Sequence, residues 1–413
     1  MNKNFINFHV LISHSPSCLN RDDMNMQKTA VFGGVRRVRV SSQSLKYWLR
    51  NSDYYKRIFG KPSVRTKRLD LAIPWLVEEL GKEFEPDLIR KAATAFVRSA
   101  KKSDASEVVD VEEEEEGNGA KGDKKLAVAP WVVAEMKVIC SVIEAVERDG
   151  LTDDEREKAL KRVGKMVGKG NDRRALTEAD CLREGIEQKI QRHLNESSQA
   201  IATALGSAMD VALSGRMATS GLMTSIDGAL AVAPAITTHA AESDIDWFTA
   251  VDDLVDVGSG HLDTQEFSAG VFYRYASLNL QQLQNNLGGG SRDQALKVAV
   301  HALHLLATVV PSAKQQSFAA HNLADFAMVS VSDQPISLAN AFERSVKNQD
   351  GFLKPSVTAL LSYWDKIHRG YGIDERTAVF DLTETSGGPG GPDLARKATL
   401  PDLEKWLLGD GLV

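Results

Sequence analysis

Cysteine is scarce in this chain: Cys18, Cys140 and Cys181 are the only three in 413 residues, far apart and without a C-x-x-C neighbour. That excludes a disulfide framework and a thiolate metal site, and it points to a reducing, cytoplasmic setting. Long apolar runs are absent too. The opening MNKNFINFHVLISHSP is too short and too interrupted for a signal peptide, and no stretch approaches the length that spans a bilayer, so membrane roles drop out. A Walker-type phosphate loop is missing, because the glycines at 288–290 are followed by Ser, Arg and Asp and read as a helix lead-in. No convergent catalytic set is found among the nine histidines. His301 and His304 stand at i, i+3 in an apolar helix with no ligand carboxylate following, which reads as core or boundary rather than a metal pair. Neither a metal nor a cofactor is expected.

What is present is an ordinary globular composition, 43% hydrophobic and 26% charged, in a chain long enough for one large domain with insertions. The net charge of -6 hides a segregation. Residues 1–70 hold 14 Lys and Arg against 4 Asp, a net +10, and residues 156–174 hold 8 basic and 2 acidic side chains, a net +6. The remainder therefore carries -22. An acidic body with two basic patches suits a protein that docks a polyanion at chosen places.

The pattern along the chain supports α+β. FINFHVLISH alternates as a strand with Ile6, Phe8, Val10 and Ile12 on a wholly apolar face. A long connection follows, and VRRVRV reads as a strand with Val38 and Val40 inward and Arg37 and Arg39 outward. SSQSLKYWLRN fits a helix capped by Ser41 or Ser42, with Leu45, Trp48 and Leu49 on one stripe and Gln43, Lys46 and Arg50 on another. Residues 61–205 are helical and charged, an inserted subdomain, and within them the acidic, glycine-rich 108–125 reads as a flexible segment. Lys158, Lys161, Arg162, Lys165 and Lys169 follow helical spacing on one face, although Gly164 and Gly168 weaken that helix. From 206, small and apolar residues with glycines suggest strands joined by tight turns. LGGGSRDQALKVAVHALHLLATVV is an amphipathic helix with Ser291 and Gln294 as a capping box, FAMVSVS is a last strand, and a further helix lies near Pro355 to Ile367. Residues 381–413 read as a linker and C-terminal tail.

Nucleic acid is the polyanion that these residues suit best. Arg21, Lys28, Arg36, Arg37, Arg39, Lys46 and Arg50 could track a phosphate backbone, and a helix N-terminus beside outward arginines favours an anion. Trp247 and Phe248, among Asp244, Asp246, Asp252 and Asp253, could stack on bases; pattern alone favours an anchor against the domain's core or a neighbouring subunit. His9 and His14 could act as general acid and base in RNA cleavage, the enzymatic alternative. A third reading is an autonomous sequence-specific regulator.

FHVLISHSPSCLNRDDMNMQKTAVFGGVRRVRVSSQSLK, LSGRMATSG, TTHAAESDIDWFTAVDDL, TQEFSAGVFYRY and GYG together resemble the backbone subunit of the type I-E CRISPR surveillance complex Cascade, the CasC family. The resemblance covers the first fifty residues and most of 206–372. It implies a non-catalytic protein with an RRM-like (ferredoxin-like) palm over 1–60 and 206–380, a helical fingers insertion over 61–205, and a thumb hairpin over 240–270. Copies would polymerise along CRISPR RNA, kink it at regular intervals and present it for pairing with target DNA in antiviral defence. The implied partners are CRISPR RNA, target DNA, further copies of the chain, the large, small, 5′-end capping and RNA-processing subunits, and a recruited helicase-nuclease. The resemblance assigns Arg21, Lys28, Ser41, Gln43, Lys46 and Arg50 to the guide backbone, Arg216 and Met217 to a palm segment near the guide, and Trp247, Phe248 and Thr249 to the thumb. Lys158, Lys161, Arg162 and Lys165 become the candidates for fingers contacts with DNA, and Val35 stands where relatives commonly carry a basic residue.

Overall fold

A computed structural model describes residues 3–101, 129–167, 174–216, 225–251, 259–311, 313–387 and 394–409. The chain divides into two compact units, the first made of Met1–Lys61, Ala229–Asn285 and Gly289–Val413, the second of Pro62–Gly228 and Asn286–Gly288. The architecture is mixed α+β. The first unit opens with β1 (Phe5–Ser17), β2 (Thr29–Phe32), β3 (Val35–Val40), α1 (Ser42–Asn51) and α2 (Asp53–Phe59). The chain then builds the second unit from β4 (Val64–Thr66), α3 (Leu69–Leu80), α4 (Pro86–Lys101), β5 (Ala129–Trp131), α5 (Val133–Asp149), α6 (Asp153–Leu160), β6 (Met166–Val167), β7 (Arg174–Ala175), α7 (Glu178–Glu196), α8 (Ser198–Gly206) and α9 (Met209–Ser214). It returns to the first through β8 (Leu230–Val232), β9 (Ala235–Thr237), β10 (Asp244–Val251) and β11 (Ser259–Asn279). There follow α10 (Leu280–Asn286), α11 (Arg292–Thr308), α12 (Gln315–Phe318), β12 (Phe326–Ser332), α13 (Leu353–Tyr371), β13 (Arg376–Asp381), β14 (Ala395–Lys397) and α14 (Leu400–Leu408).

The first unit is organised on one sheet in the order β14-β13-β12-β1-β11-β9-β3-β2, with β8 and β10 also paired to β11. All ladders are antiparallel except β13 with β14. Strand β1 sits at the centre, with Val10 opposite both Arg274 and Ala327. Ile6, Phe8, Val10 and Ile12 are fully buried as their alternation predicts, but so are Asn7 and His9 on the opposite face. The cause is a second covering helix. On one face Arg274, directly across from Val10, bonds to the last turn of α11; on the other, Leu11 packs with Val357, Leu360 and Leu361 of α13. A central strand covered on both sides tolerates polar residues only when they are satisfied. Asn7 donates to the Gln334 carbonyl at 3.2 Å and accepts from the Tyr275 hydroxyl at 3.0 Å.

Capping sets the helix boundaries. Ser41, not Ser42, caps α1 by accepting from the Ser44 amide, and Ser291 with Gln294 forms the capping box of α11. Three expectations are corrected. The stretch from 209 is helical, as α9, before short strands begin. The tail is folded: β14 extends the sheet, and α14 buries Leu403, Trp406 and Leu407, an i, i+3, i+4 stripe, while packing on α11. The basic run near Lys158 is not one helix, because α6 ends at Leu160 and Gly164 takes φ +81 before β6. Lys169 and the acidic 108–125 lie outside the described residues. Among those described, no helix is long and apolar enough to cross a membrane, and no cluster of His, Cys, Asp and Glu could hold a metal ion.

The second unit has its own core, in which Leu76 of α3, Ile89 and Phe96 of α4, and Met136, Ile139 and Ile143 of α5 interlock.

Arg37 departs from the expected outward strand face. It is fully buried, with Nη2 donating to the Phe342 carbonyl at 2.8 Å, Nη1 to the Thr237 carbonyl at 3.1 Å and Nε to the Phe32 carbonyl at 3.3 Å. Val38 and Val40, on the opposite strand face, are buried against Leu45 of α1 and Phe272, while the loop around Phe342 covers the face that Arg37 occupies. Arg37→Leu strands buried carbonyls and is expected to cost about 3 kcal/mol in urea denaturation. A loss below about 0.5 kcal/mol would show that the loop is held without it.

Candidate nucleic-acid interface

The basic N-terminal segment becomes a hydrogen-bonded unit of three pieces. Asn20 is its hub: its side-chain oxygen accepts from the Ser41 amide at 2.9 Å and its carbonyl from the Lys28 amide at 2.9 Å, while the Lys28 carbonyl accepts from the Arg39 amide at 2.9 Å. Within the loop Asp22 accepts from the amides of Met24 and Met26, and Arg21 donates to Asn25 Oδ1. The loop, the end of β3 and the start of α1 are thereby held together. The first turn of α1 carries no acidic residue, so its amides and dipole remain favourable to an anion.

Around this junction Arg21 and Gln43 are exposed, and Lys28, Arg39, Ser41, Lys46 and Arg50 are half-buried. The Arg50 guanidinium lies 5.9 Å from the centre of the exposed Tyr47 ring, an aromatic that belongs to neither stripe of α1. The same loop is fastened to the base of the β10–β11 hairpin. The Gln27 amide donates to Glu266 Oε2 at 2.9 Å, and its side chain donates to Ser268 Oγ at 2.9 Å, all three residues being buried. Sequence reasoning missed Asn20, Gln27, Glu266 and Ser268. A contact across 239 residues leaves no local signal.

On the hairpin, Trp247 is opposite Thr264 and Phe248 opposite Asp263. Trp247 is 68% exposed and Ile245, two residues earlier on the same face, 58%, so this apolar pair is not an anchor in the chain's own core. The side chains of Phe248 and Thr249, and all of Met217, lie outside the described residues.

Arg37 and Arg216 are withdrawn as RNA contacts. Arg37 spends its donors on buried carbonyls, as described above. Arg216 belongs to the second unit, where its guanidinium makes a two-pronged bond to Glu135 at 2.8 and 2.9 Å, both side chains fully buried. In that unit Arg162 pairs with Glu184 at 2.5 Å and Lys161 with Glu157 at 3.1 Å, while Lys158 and Lys165 are exposed. A groove of about 1610 Å³ there is lined by Arg162, Lys91 and Arg192, each already paired with a glutamate.

The two histidines considered for cleavage are unsuited to it. His9 is buried against the Tyr273 hydroxyl at 2.8 Å, and desolvation lowers its pKa to about 4. His14 is buried near Arg274, and burial lowers it to about 3. Both rings are buried in the sheet and neutral. Their shifts predict a pH dependence. Between pH 6.5 and 4 the unfolded chain binds protons at these rings that the folded chain refuses, so stability falls as pH drops. The His368–Glu375 pair at 2.7 Å acts in the opposite sense, its raised imidazole holding a proton more tightly when folded. Going from pH 7 to pH 5 should therefore cost on the order of 2 kcal/mol in urea midpoint experiments. A flat profile would contradict the buried neutral rings.

The profile of the family described as CT1975-like protein matches residues 6–406. No curated protein matches the chain. Among solved structures, a chain described as "CRISPR RNA-guided surveillance complex, pre-nicking" is similar over 98% of this chain and 100% of its own, at 28% identity and TM-score 0.69. Another, described as "CRISPR RNA-guided surveillance complex", is similar over 98% and 99% at 21% identity and TM-score 0.52, a likeness of fold.

Proposed function

The chain belongs to the CT1975-like protein family, and from that membership we propose that it is a subunit of a CRISPR RNA-guided surveillance complex, its non-catalytic RNA-binding backbone. The observation that carries this is the end-to-end likeness to a surveillance-complex chain at 28% identity, which leaves no part of that chain unmatched. The finer reading is a type I-E Cascade subunit in the cytoplasm. It polymerises along the guide with further copies of itself, kinks the RNA at regular intervals and presents it to target DNA beside the other Cascade subunits.

The first unit is read as an RRM-like palm. The run β12-β1-β11-β9 is antiparallel; α1 and α2 of this unit lie between β3 and the return to β8 and β9, and α10, α11 and α12 lie between β11 and β12. In this chain both sheet faces are covered around β1, which turns nucleic acid away from the sheet face and toward the loop, helix terminus and hairpin at its edge. Lys28, Ser41, Gln43, Lys46 and Arg50 then hold phosphates through charge and hydrogen bonds, a sequence-independent grip that leaves base pairing to read sequence. Trp247 supplies an exposed aromatic face at a projecting hairpin, where stacking on a displaced base contributes about 1 to 3 kcal/mol.

Lys46→Glu with Arg50→Glu should weaken guide binding and lower the salt slope by about 1.4, two single-strand phosphate contacts at roughly 0.7 each. An unchanged slope would remove α1 from the grip. Trp247→Ala should leave the urea midpoint unaltered, because the ring is exposed, while reducing capture of complementary DNA by the RNA-loaded protein about tenfold. Normal capture would deny the hairpin its role.

A further inference from the structure

We propose that Arg36, Arg344 and Lys347 form a second phosphodiester-binding platform on the first unit, separate from the grip at the start of α1. The inference rests on the nucleic-acid reading above and joins Arg36 of the basic motif to Arg344 and Lys347, which neither the motif nor the resemblance assigned.

Three segments distant in sequence meet at this place. The β2–β3 turn presses on the loop that follows Phe342: Gly33, at φ +61, lies so near the Glu343 carbonyl that an added Cβ would stand 1.6 Å from its oxygen. The Arg37 guanidinium bonds to the Phe342 carbonyl from beneath. The Val346 amide donates to the Thr238 carbonyl at 3.1 Å, the Ala240 amide to Ser345 Oγ at 2.9 Å, and the Ala241 amide to the Arg36 carbonyl at 2.8 Å. These bonds fix the backbone at Arg36 and throughout 342–346. The side chains of Arg36, Arg344 and Lys347 are left in solvent.

Two observations bear on these cations. First, none of the three has a carboxylate within ion-pair distance among the described residues, whereas Lys91, Arg162, Arg174 and Arg192 of the second unit are each tied to one. Second, Arg37 adds a buried charge where the 342–346 loop meets β3, with Glu343 as the acidic group that bears on it. Arg37 is buried with carbonyl oxygens as its partners, and a guanidinium stays protonated even where desolvation lowers its pKa. Glu343 and Glu242 are the acidic groups that bear on this neighbourhood, Glu343 on Arg37 and Glu242 on His239. A buried guanidinium where this loop meets β3, with exposed cations on the strand and on the loop, makes a site whose electrostatic cost is relieved by an anion in solvent.

Phosphodiester is the anion that fits the placement. Arg36 lies five strand residues from Ser41, roughly 17 Å along β3, so one continuous strand held at α1 passes the platform a few nucleotides on. Two arginines and a lysine on a fixed backbone suit bidentate and point contacts to successive phosphates.

The test uses the full chain carrying Arg36→Gln, Arg344→Gln and Lys347→Gln, with circular dichroism and the urea midpoint confirming the fold. Binding is titrated against salt in two arms, guide RNA to the free protein and complementary single-stranded DNA to the RNA-loaded protein. The slope is expected to fall by about 2, three contacts at roughly 0.7 each. A fall in the RNA arm assigns the platform to the guide, and a fall confined to the DNA arm assigns it to the target. Unchanged slopes in both arms overturn the proposal, as does a defect in association between copies without nucleic acid, which would make the patch a protein contact. Lys46→Glu with Arg50→Glu is run alongside: if it lowers the slope while the platform variant does not, only this inference fails, and if neither does, the guide-binding reading fails with it.

Discussion

The first unit depends on one buried cation whose hydrogen-bond partners are backbone carbonyls. Arg37 draws the carbonyls of Phe32, Thr237 and Phe342 onto a single planar fork, and those carbonyls belong to a turn, a strand end and a long loop that share no ladder with one another. Lysine could not substitute, since a point charge on a flexible stem lacks five donors in fixed directions. Carbonyl dipoles satisfy the hydrogen bonds but leave the charge, and Arg274 repeats the arrangement against the carbonyls of Leu306 and Val309. This helps a chain of net charge -6 to present a cationic face: part of the positive potential is generated from inside, where the acidic surface elsewhere does not reach.

How much of this was legible follows from how far each cause lies along the chain. Local causes read well. The Ser41 cap, the Ser291–Gln294 box and the strands at VRRVRV and FAMVSVS depend on residues a few positions apart, and each is found where the pattern put it. Orientation did not read, because alternation marks two faces without telling which of them a distant helix covers. Arg37 reads as outward for that reason, and His9, on the face opposite the apolar one, is buried all the same. The C-terminal strand and helix were overlooked because glycine and proline around 387–392 outweighed the short stripe Leu403, Trp406 and Leu407. In the second unit, charge spacing suggested a longer basic helix, and glycine at a left-handed φ ended it.

The candidate site was half visible. Its cations could be listed from composition, and resemblance ordered them. The scaffolding that aims them, Asn20 at the junction and Gln27 between Glu266 and Ser268, consists of small polar residues whose value lies wholly in their partners. Those partners also tie the loop at the start of α1 to the hairpin base, so that strain at one is felt by the other without an intervening flexible link.

Strand β11 runs unbroken from Ser259 to Asn279, pairing with β10 in its first part and with β1 in its second. The apolar face of the hairpin is therefore chosen by parity. Counting along β11, each residue inherits its side from the alternation imposed by the buried sheet, and an arm of eight residues, roughly 25 Å, transmits that choice to Ile245 and Trp247. Length changes in even steps on both arms would keep the aromatic facing the same way, and odd steps would turn it to the opposite side. The hydrophobic core thus acts as the clock that sets the hairpin's hand, and an odd change in length keeps the aromatic on its side only where a bulge absorbs the extra residue.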